Sequence, residues 1–248
     1  MRPIFSTRNF PLLRKFASAN VLAAFDFDGT LAPIVPRPED AALRPGTQRL
    51  MNELASLCSC IVVTGRGRED MRRKLHGIPL KEIIGNHGIE PWHASAEMVL
   101  AVKHWLPILT QGLGEFPGVL VEDKRFSITV HYRNARDKRT ARKAVLDIAR
   151  TLPGAKRVGG KQVVNILTET APGKGLAVQR ARMKLHCDKV IYVGDEKTDE
   201  DVFALARGGQ FLTIRVGPSK TSAAQFYIRD QREIDRLLRT LIEMRAGH

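Results

Sequence analysis

The sequence predicts an α/β chain: a doubly wound parallel sheet forms the core and an α+β module is inserted into it. Three observations lead there. Short apolar runs alternate with stretches of helical periodicity toward both ends of the chain, as strands and covering helices do in a parallel sheet. Several of those runs end in polar signatures, the pattern expected where strands open onto a ligand crevice. Between residues 94 and 169 the alternation gives way to one helical stretch, an extended pair, a second helix and a second extended pair. The core is therefore expected at 1–93 and 170–248, and the module at 94–169.

The apolar run from Val21 leads into Phe27, which places a first buried strand at 21–27. Pro45 and Gly46 open a helix whose Leu50, Met51, Leu54 and Leu57 recur at helical spacing, and residues 60–63 form a second buried strand. A helix at 67–76 and a strand at 82–85 follow. Within the module, alternation across 119–132 around Asp123-Lys124-Arg125 predicts a hairpin, 137–152 a helix, and 157–167 around Gly159-Gly160 another hairpin. The core pattern then resumes. Gly173-Lys174-Gly175 opens a helix to about 185, strands fall at 190–193 and 211–216, and Ile234, Leu237, Leu238, Leu241 and Ile242 stripe the last helix.

Composition narrows the function. A chain of 248 residues with 43% hydrophobic and 27% charged side chains can bury a substantial core, so it is neither disordered nor fibrous. No apolar stretch approaches the roughly 20 residues of a membrane span, and residues 1–20 lack the apolar core of a secretory leader. Three cysteines, an odd number, fit free thiols in a reducing compartment, with Cys58 and Cys60 packed in the core. A cytoplasmic monomer is expected. The net charge of +14 calls for an anionic partner. Lys and Arg are dispersed and aromatics are only 6%, so a small phosphorylated molecule is favoured over nucleic acid or a membrane. A basic nucleic-acid-binding protein with a silent acidic cleft is the alternative from another class. Arg66, Arg68, Arg72, Arg73 and Lys74 read as a solvated helix face.

The chemistry concentrates at strand ends. In Asp26-Phe27-Asp28-Gly29-Thr30 strand alternation would put both carboxylates on one face, where they repel unless a cation sits between them or one keeps a proton. A phosphoryl transfer needs a nucleophile in line, an acid for the departing alkoxide, and positive charge around the equatorial oxygens. Asp26 is the candidate nucleophile, and Asp28 the acid that protonates the leaving group and then activates water. Thr64 offers a hydroxyl to the phosphoryl oxygens, Gly65 and Arg66 beside it are expected to bind the substrate as well, and Lys174 offsets their charge. Asp195, Asp26 and the main-chain carbonyl of Asp28 would hold a small oxygen-seeking cation, for which Mg2+ is the best fit; Asp199 would orient Asp195 or a metal-bound water.

These segments, with Thr64-Gly65-Arg66, Lys174 and Gly194-Asp195-Glu196-Lys197-Thr198-Asp199, resemble the four ordered motifs of the haloacid dehalogenase superfamily, and Asp28 resembles its phosphatase branch. Gly85-Asn86-His87-Gly88-Ile89-Glu90, Glu122-Asp123-Lys124, His131-Tyr132-Arg133 and Gly160-Lys161-Gln162-Val163-Val164 look like trehalose-6-phosphate phosphatases. The resemblance implies a haloacid dehalogenase-like fold, a magnesium-dependent phosphatase making trehalose, and a mobile cap in which Glu122 and Lys124 grip sugar hydroxyls. It also implies that His87 and Glu90 line the same cleft. His131 is open between a sugar contact and a structural histidine. Where that family carries a Glu, this chain has Asn165, which is expected still to hold a sugar hydroxyl, since it donates and accepts hydrogen bonds, but lacks the charge. A different sugar phosphate is therefore the second substrate expectation.

Overall fold

The computed structural model describes residues 1–246, and the chain divides into two compact units, one made of Met1–His87 and the chain from Gly173 onward, the other of Gly88–Pro172. In the first unit the elements run β1 (Arg2–Pro3), α1 (Phe10–Ala17), β2 (Val21–Phe25), α2 (Pro45–Leu57), β3 (Ser59–Val63), α3 (Arg68–Lys74) and β4 (Glu82–Ile84). The second unit holds α4 (Ala96–Leu113), β5 (Leu120–Asp123), β6 (Ile128–His131), α5 (Lys138–Thr151), β7 (Ala155–Gly160) and β8 (Val163–Thr168). The first unit then closes with α6 (Lys174–Lys184), β9 (Lys189–Gly194), α7 (Glu200–Phe203), β10 (Phe211–Val216), β11 (Phe226–Ile228) and α8 (Ile234–Ala246).

The first unit is a seven-stranded sheet in the order β1-β11-β10-β9-β2-β3-β4, and every pair is parallel. Its central strands carry continuous apolar runs, at 21–25, 60–63 and 190–193, because both faces are covered. Val21, Ala23, Phe25, Cys60, Val62, Ile191 and Val193 pack in one cluster with side chains of α1, α2 and α8. On the other face Tyr192 meets Phe203 of α7 edge to face, with ring centroids 5.9 Å apart. The first twenty residues, to which sequence patterns assign no role, supply the edge strand β1 and the helix α1, with Ile4, Leu13 and Phe16 buried in the same cluster. Cys58 and Cys60 are free thiols with sulfurs 3.8 Å apart, and Cys60 lies in that core.

The second unit is a four-stranded antiparallel sheet, β5-β6-β8-β7. Residues directly paired across strands share a face. One face carries Ile128, Val130, Val164, Ile166 and Ala155, packed with Val102, Trp105 and Leu109 of α4 and with Ala141 and Val145 of α5. The other carries Glu122, Thr129 and Asn165 in a single row, with Leu120, His131 and Val163 in the next. Farther along the same face Leu167 and Val158 pack with Ile89, Met98 and Phe126, so this polar row lies beside a second, smaller apolar cluster. No described helix is long and apolar enough to cross a membrane.

Candidate active site

The first strand of the central sheet pair ends at Phe25, two residues short of the expected 27, and that changes the geometry of the aspartates. Asp26 still continues the strand direction, its amide donating to the Val193 carbonyl at 2.9 Å. Beyond it the chain turns: the amides of Gly29 and Ala32 donate to Ala32 and Phe27 carbonyls at 2.8 and 2.9 Å. Strand alternation therefore does not reach Asp28, and the two carboxylates do not share one environment. Asp26 is 2% exposed, whereas the side chain of Asp28 is 39% exposed and receives the guanidinium of Arg66. Gly29 has φ of +80°, and a β-carbon there would collide with the Asp195 carboxylate, so only glycine lets this turn close over β9.

β9 delivers Asp195 beside Asp26, and the short helical turn after it returns Asp199 to the same point. One oxygen from each of Asp26, Asp195 and Asp199 lies within 4.8 Å of the others, and all three residues are buried. Lys174 is the cation among them. It is fully buried, with Nζ 2.8 Å from Asp199 Oδ1, 3.1 Å from Asp26 Oδ1 and 3.8 Å from Glu196 Oε1. A lysine at the first position of a helix opposes the helix dipole; the surrounding carboxylates reverse that balance for α6. Asp199 is fully occupied: its Oδ1 accepts from Lys174 and from the Tyr192 hydroxyl at 2.6 Å, and its Oδ2 from the Glu196 amide at 2.9 Å. Asp26 Oδ2, by contrast, is buried with no hydrogen-bond partner.

Burial pushes the Asp26 carboxyl well above its ordinary value; Lys174 opposes this, while Asp199, Glu196 and Asp195 add to it. Burial works to lower the Lys174 ammonium, but Asp199, Asp26 and Glu196 overcome it and the group is held strongly protonated. Three buried carboxylates, one with an oxygen left unpaired, against a single ammonium is the donor set of a hard divalent cation, since such ions take carboxylate and carbonyl oxygen and need no His or Cys. The residues present fit one.

Thr64 stands at the carboxyl end of β3, 1% exposed, with its hydroxyl accepting from the Arg66 amide at 3.2 Å. His87 packs against this turn. Asn86 and His87 both adopt left-handed φ, 49° and 57°, and their amides donate to the carbonyls of Arg66 and Thr64 at 2.8 and 2.9 Å. A β-carbon on Gly65 would strike the His87 ring, so this close approach also demands glycine. The solvated-face reading of the basic cluster holds only in part. Arg72 and Arg73 are exposed, but Arg66 is inserted beside Asp28, Arg68 pairs with Glu82 at 2.6 Å, and Lys74 donates to the Glu39 and Ala41 carbonyls. The periodicity that marks a helix surface does not reveal which of its charges meet partners beyond the helix.

On the polar face of the second unit's sheet, Glu122 Oε2 lies 2.8 Å from His131 Nε2 and 3.6 Å from Lys124 Nζ, so these three candidates form one group. Burial works to raise the Glu122 carboxyl, and the His131 hydrogen bond together with Lys124 overcomes it, holding the group below its ordinary value. Asn165 is buried, and its Oδ1 accepts from the Thr129 hydroxyl at 2.8 Å. Asp123 and Arg125 are exposed at the hairpin tip, and Glu90 is half-buried in the segment leading into α4. Sequence patterns assign no role to Tyr192 or Thr129, and Glu196 enters only as part of the motif around Asp195. The signal for Tyr192 was present: a hydroxyl inside an otherwise aliphatic buried strand requires a partner.

The family described as Trehalose-phosphatase matches residues 24–231. The trehalose-phosphate phosphatase of Mycobacterium tuberculosis is 36% identical over 194 residues, covering 72% of this chain and 49% of the relative. The chain spans about half the length of the curated relatives it matches. Among solved structures, the C-terminal domain of the Candida albicans trehalose-6-phosphate phosphatase superposes with a TM-score of 0.81 over 100% of both chains at 22% identity. A trehalose-6-phosphate phosphatase related protein gives 0.73 at 26% identity over 91% of this chain and 99% of the other.

Proposed function

We propose, for a chain that belongs to the trehalose-phosphatase family of the haloacid dehalogenase superfamily, that it hydrolyses trehalose 6-phosphate to trehalose and phosphate through an aspartyl phosphate. The observation that carries this reading is the buried group in which Lys174 joins Asp26 and Asp199 while Asp26 keeps one oxygen unpaired. A nucleic-acid-binding role leaves that group without a task.

Asp26 attacks phosphorus, and the P–O bond to the sugar breaks with its electron pair going to the departing oxygen, which takes a proton from Asp28. Thr64 and the amides around it bind phosphoryl oxygens, and Lys174 offsets their charge. Water then attacks the aspartyl phosphate, Asp28 accepts its proton, and phosphate leaves as Asp26 is restored. Asp26, Asp195 and the Asp28 carbonyl would hold Mg2+, with Asp199 behind them, and the ion would supply further charge to the phosphoryl oxygens. In the second unit, which serves as cap, Glu122, Lys124 and His131 bind the sugar hydroxyls. His87 of the first unit and Glu90 of the second are further candidates for sugar contact.

The test is phosphate release across a panel of sugar phosphates with and without magnesium. Trehalose 6-phosphate is expected to show the highest kcat/KM, with chelator abolishing turnover. Glu122→Gln is expected to raise KM for it by about ten- to hundredfold, the size of a charge-assisted hydrogen bond worth roughly 1.5–3 kcal/mol. A specific observation favours a second reading: Asn165 is neutral and already bonded to Thr129. Equal or faster turnover of glucose 6-phosphate, sucrose 6-phosphate or glucosylglycerol phosphate would transfer the assignment to that substrate.

Metal binding has a readout that does not need activity. In the metal-free chain the raised Asp26 carboxyl makes the folded state bind more protons than the unfolded one, so stability falls as pH rises from the ordinary carboxylate range through the raised value. Mg2+ requires the ionised form. The rise in melting temperature on adding millimolar Mg2+ is therefore expected to be larger at pH 8 than at pH 5, and largely absent in Asp195→Asn. A shift equal at both pH values, or kept by that variant, would place the ion elsewhere.

A further inference from the structure

Four of the five guanidinium N–H groups of Arg66 are already committed. Nε donates to Asp28 Oδ2 at 2.7 Å and Nη2 to Asp28 Oδ1 at 2.8 Å, the parallel fork that an arginine makes with a carboxylate. The second hydrogen of Nη2 goes to the Pro38 carbonyl at 2.7 Å, and Nη1 donates to Asp70 Oδ2 at 3.3 Å, one helical turn along. The guanidinium carbon lies 5.6 Å from the centre of the buried Phe27 ring. The side chain is only 13% exposed. Burial alone would lower this guanidinium, and Asp28 together with Asp70 more than reverses that. A group fixed from this many sides has almost nothing left to offer a phosphate. It has, however, a firm hold on one carboxylate.

We propose that Arg66 is a positioning residue for Asp28 and not a phosphate ligand: its fork fixes the rotamer of the Asp28 carboxylate, and when Asp28 takes up a proton from solvent the oxygen that carries it leaves the fork while the other stays bonded, so that Asp28 serves the leaving-group oxygen from that rotamer. The need for such a device follows from the backbone. Asp28 sits beyond the end of β2, in a turn, with its side chain 39% exposed. Neither strand alternation nor packing holds it, as both hold Asp26. Arg66 connects Asp28 to the Thr64 turn, to α3 through Asp70 and to the segment at Pro38, so a loosely built carboxylate gains a rigid mount. Lysine at 66 would keep the charge and lose the fork.

This proposal rests on the phosphatase reading, and leaving-group chemistry separates the two. Departure of a sugar alkoxide needs the proton from Asp28; p-nitrophenolate leaves without one. First-turnover release of each leaving group should be measured with trehalose 6-phosphate and p-nitrophenyl phosphate for the wild type, Arg66→Lys, Arg66→Gln, Asp28→Asn and the Asp28→Asn/Arg66→Lys double variant. Both Arg66 variants are expected to slow sugar release by about 100-fold, within the range of general acid catalysis, and p-nitrophenol release by less than about tenfold. The double variant should be no slower than Asp28→Asn alone, because the two residues act as one unit. Equal losses on both esters, or a rise in KM for both with kcat unchanged, would overturn the proposal in favour of a phosphate contact or a merely structural role. Arg66→Lys, the smaller change, decides the matter if Arg66→Gln does not fold. A wild type that releases phosphate from neither ester would remove the phosphatase reading and this proposal with it.

Discussion

Asp26→Asn is expected to reduce phosphate release by about four orders of magnitude or more, the scale on which loss of a catalytic nucleophile is felt, while its melting temperature holds or rises. The substitution keeps shape and removes one charge. Asp26 is buried among Asp195, Asp199 and Glu196, with Lys174 alone opposing them, and its carboxyl is displaced toward the neutral form. The ionised side chain therefore costs stability in the metal-free protein at neutral pH, and an amide relieves that cost even as it gives up attraction to Lys174. The stability gain measured in chelator should grow from acid pH, where Asp26 carries its proton folded and unfolded alike, to neutral pH, where the unfolded chain ionises this carboxyl and burial in the folded one opposes it. Phosphate release measured beside calorimetry at several pH values checks both parts. Retained activity in a clean preparation would remove Asp26 as nucleophile.

How much of this was legible in the sequence depended on how local each cause is. The parallel sheet could be read because strands buried on both faces carry continuous apolar runs, as β2 does throughout, β3 from Cys60 and β9 from Val190. The first hairpin of the second unit could be read because its polar and apolar residues alternate, as Ile128, Thr129, Val130 and His131 of β6 do, and the second because Gly159-Gly160 interrupts an extended stretch. Lys174 was identifiable by context, as the residue opening a helix between strands that end in aspartates. Its partners were less so. Nothing in the spacing of Asp28 and Arg66 announces that residues 38 apart form a bidentate pair, and a helix-face pattern groups Arg66 with Arg72 and Arg73, which do face water. Asp28 was placed on the face of Asp26 by strand alternation, and that failed because the strand stops at Phe25 and a turn with its own geometry takes over. Asn165 was seen as a neutral residue where a charge was expected, but its bond to Thr129 depends on the register of β6 with β8, which a sequence pattern does not number.

Lys174→Met is expected to be the most destabilising of these changes, by about 3–5 kcal/mol at pH 7, the usual cost of removing one partner from a buried ion pair. That corresponds to a fall of roughly 10 °C in melting temperature for a chain of this size. Methionine fills much of the volume, so the loss is electrostatic: Asp26, Asp199 and Glu196 are left facing one another in a site where the lysine is fully buried. The lysine itself stays charged in both folded and unfolded states across the neutral range, since its ammonium is raised above its ordinary value and its contribution fades only at more alkaline pH. The pH dependence of the defect therefore comes from the carboxylates. Without Lys174 to oppose burial, Asp26 moves further toward its protonated form, the folded variant takes up protons more readily, and the deficit relative to wild type shrinks as pH falls toward 5. Added Mg2+ should recover part of the stability at neutral pH by supplying another positive charge to the same oxygens, yet not the activity, because the ammonium that offsets the phosphoryl charge is still missing. A variant with wild-type melting temperature and pH profile would mean that these carboxylates do not depend on Lys174, and that the buried group does not act as one electrostatic unit.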